Sequence, residues 1–331
     1  MNIITRKFTD LIADIPCLMD FFEAHELSTP DMGTTPELYF RSLPPDFYEE
    51  HAVNQSDMFE SFIDFAGQLA DFIVSDGKVN RLEILGGSDK DGTPENINIT
   101  LVPGDVLSIV GPTGAGKSRL LEDIECLAQG DTPTGRHILV NGSRPGDAQR
   151  FNVDNRLVAQ LSQNMNFVVD LCVEDFLRMH AESRLIESPE DIVKHIFEVA
   201  NELAGEQFEP STSVTSLSGG QSRALMIADT ACLSRSPVVL IDEIENAGVD
   251  RYKALELLIR EEKIVLLVTH DPELALFASR RLVIRNGGIK MMIERSKNES
   301  KTLERLRAYS STLANLRADM RQGGELLFET D

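Results

Sequence analysis

Two glycine-rich stretches far apart in the chain carry residues able to do chemistry: Gly111-Pro112-Thr113-Gly114-Ala115-Gly116-Lys117-Ser118 and Leu217-Ser218-Gly219-Gly220-Gln221. The first has the form GxxxxGK[ST]. That spacing sets consecutive backbone N–H groups around phosphate oxygens, and a helix N-terminus behind them adds a favourable dipole. Gly111, Gly114 and Gly116 allow the tight curvature. Lys117 is placed to reach β and γ phosphates, and Ser118 to bind Mg2+. The stretch alone implies ATP or GTP and leaves the reaction open.

A second group of chemical residues lies downstream. The apolar run Val238–Ile241 ends in Asp242 and Glu243. Asp242 is placed to hold the Mg2+ shell, and Glu243 to orient or polarise an attacking water. The plainer alternative is that one acid only caps the next helix. His270 follows the apolar run Ile264–Val268, where it is placed to contact a γ phosphate or water.

These residues need elements to position them. Val106–Val110 reads as a buried strand leading straight into the first glycine stretch, and Arg119–Leu127 as the helix after it, the context in which such a loop binds phosphate. Short strands are expected at 80–85 and 97–102, around the turn-rich segment Gly86–Gly92. Strands at 238–241 and 264–268 alternate with helical segments, including 171–208. The pattern predicts an α/β layer with a mostly parallel sheet. Upstream, residues 1–78 read as a mostly helical accessory region. Leu11, Ile12, Ile15, Leu18, Met19 and Phe22 recur at helical spacing, with Pro16 interrupting. A second helix is expected over Ser56–Val74, with Phe59, Phe62, Ile63, Ala66 and Leu69 in its apolar stripe. Core packing accounts for these aromatics; a partner-docking face is the alternative. The Pro-rich stretch between the two, ending in Leu43-Pro44-Pro45-Asp46, reads as loop. A third amphipathic helix is expected over Ser296–Met320, packing back onto the body, and the last ten residues read as loose.

Composition narrows the classes. The chain has 331 residues, 42% of them apolar, and a formal net charge of -22. Residues 1–95 hold 19 acidic and 6 basic side chains, whereas 290–331 hold 7 and 8. Such acidity argues against broad attraction to nucleic acid or anionic lipid, so no direct nucleic-acid partner is expected. The N-terminal region differs in charge and reads as a separate module. Cys17, Cys126, Cys172 and Cys232 are scattered, as reduced thiols in a reducing cytosol would be. No run approaches a transmembrane span and the first residues make a poor signal peptide, so a cytoplasmic protein is expected, peripheral at a membrane only through a partner.

Together these motifs resemble the nucleotide-binding domain of the ATP-binding cassette (ABC) ATPases, over roughly residues 79–290, with 291–331 as a C-terminal helix and tail. Gly111–Ser118 is similar to the Walker A motif of that family, with Arg119 beside it; Leu217–Gln221 matches its signature, and Val238–Asp242 its Walker B strand. The resemblance implies that Glu243 is the catalytic carboxylate and His270 the switch histidine. It implies that Gln163 is the Q-loop glutamine, contacting both nucleotide and Mg2+, with Gln160 a nearby competitor; Val173-Glu174-Asp175-Phe176 is similar to the stretch that follows. The implied fold is a P-loop NTPase of ABC type, with a mostly parallel core sheet, a β subdomain and a helical signature subdomain.

The resemblance also implies a head-to-tail dimer, with itself or a related subunit. ATP would lie between Walker A of one chain and Ser218, Gly219, Gly220 and Gln221 of the other, with catalysis by Glu243, His270 and Lys117. The sequence departs from the family after Glu243, where Ile244–Asp250 runs one residue longer than usual and makes Asp250 the candidate D-loop aspartate. No clear aromatic occupies the usual base-stacking place. The expected function is ATP hydrolysis coupled to dimer closure that works on a partner. That partner is either a membrane permease, for a transporter subunit, or a soluble protein or metalloenzyme client.

Overall fold

The computed structural model describes residues 3–321 and 323, apart from 16–17, 26, 51–52, 75–78, 147–148, 151–155, 163–166, 185, 187 and 245–247. The chain divides into two compact units, Met1–Lys78 and Val79–Asp331.

The first unit is helical: α1 (Phe8–Asp14), α2 (Met19–Ala24), α3 (Pro36–Ser42), α4 (Pro45–Glu50) and α5 (Gln55–Val74). It has its own aromatic core. Phe8, Phe22, Phe40 and Phe62 are fully buried, and Phe8 meets Phe22 edge to face at 5.6 Å between ring centroids, a favoured geometry for the ring quadrupoles. The stretch expected to be loop holds α3 and α4 instead. Both begin on a proline, where the fixed φ suits a first helical position and the missing N–H costs nothing. Proline there starts a helix rather than breaking one. α3 completes the core with its buried Tyr39 and Phe40, and α4 packs the partly buried Phe47 and Tyr48 against it.

The second unit holds two sheets. A three-stranded antiparallel sheet has the order β2 (Asn98–Leu101), β1 (Leu82–Leu85), β4 (His137–Val140). A six-stranded sheet has the order β5 (Val158–Leu161), β6 (Val238–Asp242), β7 (Ile264–Val268), β3 (Val106–Val110), β8 (Arg280–Arg285), β9 (Gly288–Glu294). Its strands are parallel except β9, which returns antiparallel to β8. Alternate residues serve opposite layers, as strand geometry requires. Leu240, Leu266, Leu107 and Ile109 join the core beneath α6 (Lys117–Glu125) and the small sheet. Ile241, Val239, Val265 and Leu267 join a second core, under the helices.

Those helices are α7 (Val173–Glu182), α8 (Pro189–Leu203), α9 (Gly219–Cys232) and α10 (Arg251–Arg260). The segment expected to be helical over 171–208 is thus two helices, parted where Pro189 opens α8. α11 (Pro272–Phe277) precedes β8, and α12 (Lys297–Arg321) closes the described chain. Most of the final ten residues lie outside the described part, as does Cys17; Cys126, Cys172 and Cys232 are free thiols. Among the described residues no helix is long and apolar enough to cross a membrane.

Candidate functional site

The parallel pairing brings the ends of β3, β6 and β7 level. Ile109 on β3 and Asp242 on β6 are both opposite Val268, the last residue of β7. Whatever follows these three strands emerges at one edge, the usual place for a ligand on an open α/β sheet. Gly111–Gly116 follows β3 there, Glu243 follows β6 and His270 follows β7.

The loop after β3 turns tightly into α6. Gly116 has φ +103° and lies against Gly287: a Cβ on it would sit 2.7 Å from the Gly287 Cα. No side chain fits, so glycine is required on both counts. Lys117 is the first residue of α6, is buried, and folds back over the loop. Its Nζ donates to the carbonyls of Gly111 at 2.9 Å and Pro112 at 3.1 Å. Ser118 is exposed beside it, and Arg119 pairs with Glu122 at 3.5 Å.

Glu243 has φ +51°, in the left-handed region that non-glycine residues rarely enter. Its N–H donates to the Val268 carbonyl at 3.1 Å. This one turn carries the carboxylate off the strand line toward the next strand's exit, where Glu243 Oε1 stands 3.7 Å from His270 Nε2. Asp271 then caps α11, its Oδ1 accepting from the N–H groups of Glu273 and Leu274. An ion pair from Arg251, at the start of α10, to Asp271 holds that cap.

A cleft of about 650 Å³ opens at this edge. Thr113, Gly114, Gly116, Lys117, Ser118 and Arg119 line one side. Asp242, Glu243 and His270 line another. Gly111, Pro112 and Ala115 belong to the same loop, Ala115 with its side chain buried. Gln163 lies outside the described residues; its competitor Gln160 is exposed on β5.

Ser218, Gly219, Gly220 and Gln221 do not line the cleft. They open α9 with a capping box: Ser218 Oγ accepts from the Gln221 N–H, and the Gln221 side chain accepts from the Ser218 N–H. Gln221 also donates to the carbonyls of Glu206 and Gln207. The two glycine motifs are therefore at different places on one chain. Asp250, the candidate D-loop aspartate, caps α10 through the Tyr252 and Lys253 N–H groups.

Several cleft residues escape a reading of sequence. Ser88, Asp89, Lys90, Pro133, Thr134 and Gly287 line its far end. Gly287 belongs to a tight turn with Asn286, both at positive φ. An Asn-Gly pair between two apolar runs is the hairpin signal that points to this turn. Asp89 is buried and accepts from Lys290 Nζ at 2.8 Å and from the N–H groups of Asp91 and Thr93. The Lys290 hydrogen bond, chiefly, holds its carboxyl down to about 2.

The chemistry of the donor set fits a magnesium nucleotide. A hydroxyl at Ser118 and a carboxylate at Asp242 are hard oxygen ligands suited to Mg2+. Among the described residues no three His, Cys, Asp or Glu side chains gather into a cage.

Comparison with known proteins gives a consistent set. The family model described as ABC transporter matches residues 94–246. An uncharacterized ABC transporter ATP-binding protein of Methanocaldococcus jannaschii is 49% identical over 253 residues, covering 76% of this chain and 97% of that protein. The aliphatic sulfonates import ATP-binding protein SsuB of Bacillus cereus is 32% identical over 224 residues, covering 62% of this chain and 81% of that protein. Among solved structures, cbiO1 from Clostridium perfringens, described as part of the ABC transporter complex cbiONQ, superposes with a TM-score of 0.51 at 20% identity, covering 72% of this chain and 98% of that one. This last likeness is one of fold.

Proposed function

The chain belongs to the ABC transporter family of ATP-binding proteins, and from that premise we propose that it is the ATP-hydrolysing subunit of a membrane transporter, working as a head-to-tail dimer. The observation that carries the catalytic part is the facing of Glu243 and His270, 3.7 Å apart, across one cleft from Lys117 and Ser118.

ATP enters with its phosphates over Gly111–Gly116, where the loop N–H groups donate to them. Lys117 leaves the Gly111 and Pro112 carbonyls and donates to β and γ oxygens instead. Ser118 and Asp242, with Gln163 by sequence spacing, would hold Mg2+, which when bound would neutralise phosphate charge. Glu243 accepts a hydrogen bond from a water and orients it in line with the γ phosphorus. The water passes a proton to the Glu243 carboxylate as the new P–O bond forms and the bridging P–O bond breaks, giving ADP and inorganic phosphate, and Glu243 then releases that proton to solvent. His270 donates to a γ oxygen and steadies the water from the side opposite the loop.

Because Ser218–Gln221 stand away from this cleft, the signature that completes each site is supplied by a second copy or a related subunit. Binding draws the two chains together and hydrolysis releases them, and that cycle is the work delivered to the partner. The relatives' names, import and transporter ATP-binding proteins, favour a membrane permease as that partner. The separately cored N-terminal unit favours the second reading, a soluble client, because it adds a folded surface beyond the ATP-binding part.

A Glu243→Gln protein, trapped with MgATP and used to capture partners from mild-detergent extract, separates the two. Recovery of a multi-span membrane protein supports the transporter. Recovery of a soluble enzyme or complex overturns it in favour of the client.

A further inference from the structure

Behind the far end of the cleft lies a buried charge network that none of the motifs includes. Arg136 is fully buried. Its guanidinium donates through Nε and Nη2 to the two oxygens of Glu95, at 2.9 and 2.5 Å. Nη1 donates to Asp123 Oδ2 at 2.7 Å, and Nη2 also to the Gly287 carbonyl at 3.0 Å. Asp123 and Glu95 are themselves buried. Asp123 Oδ2 takes a further hydrogen bond from Thr134 at 2.8 Å. Glu95 accepts from the N–H groups of Gly87 at 3.0 Å and Ile289 at 2.5 Å.

Desolvating one cation and two anions is costly, and an apolar cluster of the same volume is commonly as stable. The network even leaves Asp123 Oδ1 buried without a partner. Stability is thus a weak account of it. What distinguishes it is where its partners lie. Asp123 is on α6, the helix that Lys117 opens. Gly287 lines the cleft and backs the phosphate loop: its N–H donates to the Ala115 carbonyl at 2.7 Å, and its Cα bounds the space at Gly116. Glu95 grips Gly87, next to the cleft residues Ser88, Asp89 and Lys90. Thr134 lines the cleft directly.

One planar fork therefore ties together four segments: the phosphate-loop helix, the β8–β9 turn, the β1–β2 connection and the approach to β4. We propose that Arg136 is a positioning residue for nucleotide, setting the far walls of the cleft against the phosphate loop through Glu95, Asp123 and Gly287. A lysine cannot replace it, because an ammonium lacks the fork that spans these partners at once. The role rests on the proposed nucleotide site. The four segments carry Lys117, which grips phosphate in the ground state, but neither Glu243 nor His270, so binding is the readout that moves most.

The test is a triple variant, Glu95→Gln with Asp123→Asn and Arg136→Met, in the full chain. It removes the charges together and leaves none stranded. Unfolding midpoint, Kd for a fluorescent ATP analogue, KM and kcat are measured beside the parent. The expected result is an unfolding midpoint near the parent's, Kd and KM raised about tenfold, and kcat changed less than about threefold. If the triple variant does not fold, Arg136→Lys gives the same readout, with a rise of about fivefold expected. A folded variant whose Kd stays within about twofold of the parent overturns the role, as does an affinity loss equal to the loss of folded protein. A parent that binds no nucleotide overturns the proposed function and this role with it. A binding parent with equally binding variants overturns this role alone.

Discussion

Gly116 and Gly287 meet backbone to backbone, so that a single methyl group on Gly116 would fall 2.7 Å from the Gly287 Cα. The phosphate loop is thus shaped from outside as well as by its own turn. Gly116→Ala meets both this contact and a φ of +103°. It is expected to weaken binding of a fluorescent ATP analogue by at least about tenfold, because a displaced loop no longer aims its N–H groups. Affinity within about threefold of the parent would mean that the hairpin gives way instead.

Glu243→Gln keeps the size and the left-handed turn but removes the acceptor charge. Steady-state hydrolysis is expected to fall at least about 100-fold, the scale of a lost general base, with nucleotide affinity within about threefold of the parent. Equal losses in affinity and rate would point to a collapsed cleft rather than a missing base.

The proposed division of the site between two chains makes a mixing experiment informative. Lys117→Ala disables the loop of a chain, and Ser218→Arg disables its signature; each variant alone is expected to be inactive. In a mixed dimer one of the two sites regains an intact loop and an intact signature. If copies pair at random, the equimolar mixture should recover about a quarter of the parent rate. No recovery would argue against a symmetric dimer of this chain.

Glu299 anchors the start of α12. It accepts from Arg281 at 2.5 Å and from the Ser296 N–H, while its own N–H donates to Ser296 Oγ. The Arg281 hydrogen bond, chiefly, lowers its carboxyl to about 2. A depressed carboxylate stabilises the fold above its unfolded value of about 4.3. That contribution fades as pH falls through about 2. Glu299→Gln is therefore expected to be less stable than the parent near neutrality and to converge with it as pH falls from about 4 toward 2. Chemical unfolding across that range, read by circular dichroism, checks it. A constant difference would show that charge is not the cause.

The cleft edge that bears Lys117, Asp242 and Glu243 was legible because its signals are local. Val106–Val110 followed by GxxxxGK[ST], and Val238–Ile241 ending in two acids, each describe a strand with its exit loop. The far wall was not legible, because it is assembled by tertiary packing. Asp89, Thr134 and Gly287 belong to three separate turns, and nothing in their own neighbourhoods says that they converge. Arg136 is harder still: an arginine after a Gly135 turn reads as solvent-facing, and only its two buried carboxylates reverse that. The helices beginning at Pro36 and Pro45 were misread for a different reason, since proline marks a helix start as well as a break. Gln163 lies outside the described residues, so its place relative to Gln160 rests on sequence spacing.

The placement of Ser218–Gln221 on α9, outside the cleft of its own chain, has a consequence for dosage. A centre split across two molecules turns over at a rate that climbs with the square of protein concentration until pairing saturates. A dilute preparation is then nearly silent even when every molecule is folded and charged with nucleotide. Anything that holds two copies side by side raises their local concentration into the millimolar range on the order expected for short tethers. In the proposed dimer, a partner of that kind would switch hydrolysis on by proximity alone, without touching a single residue of the cleft.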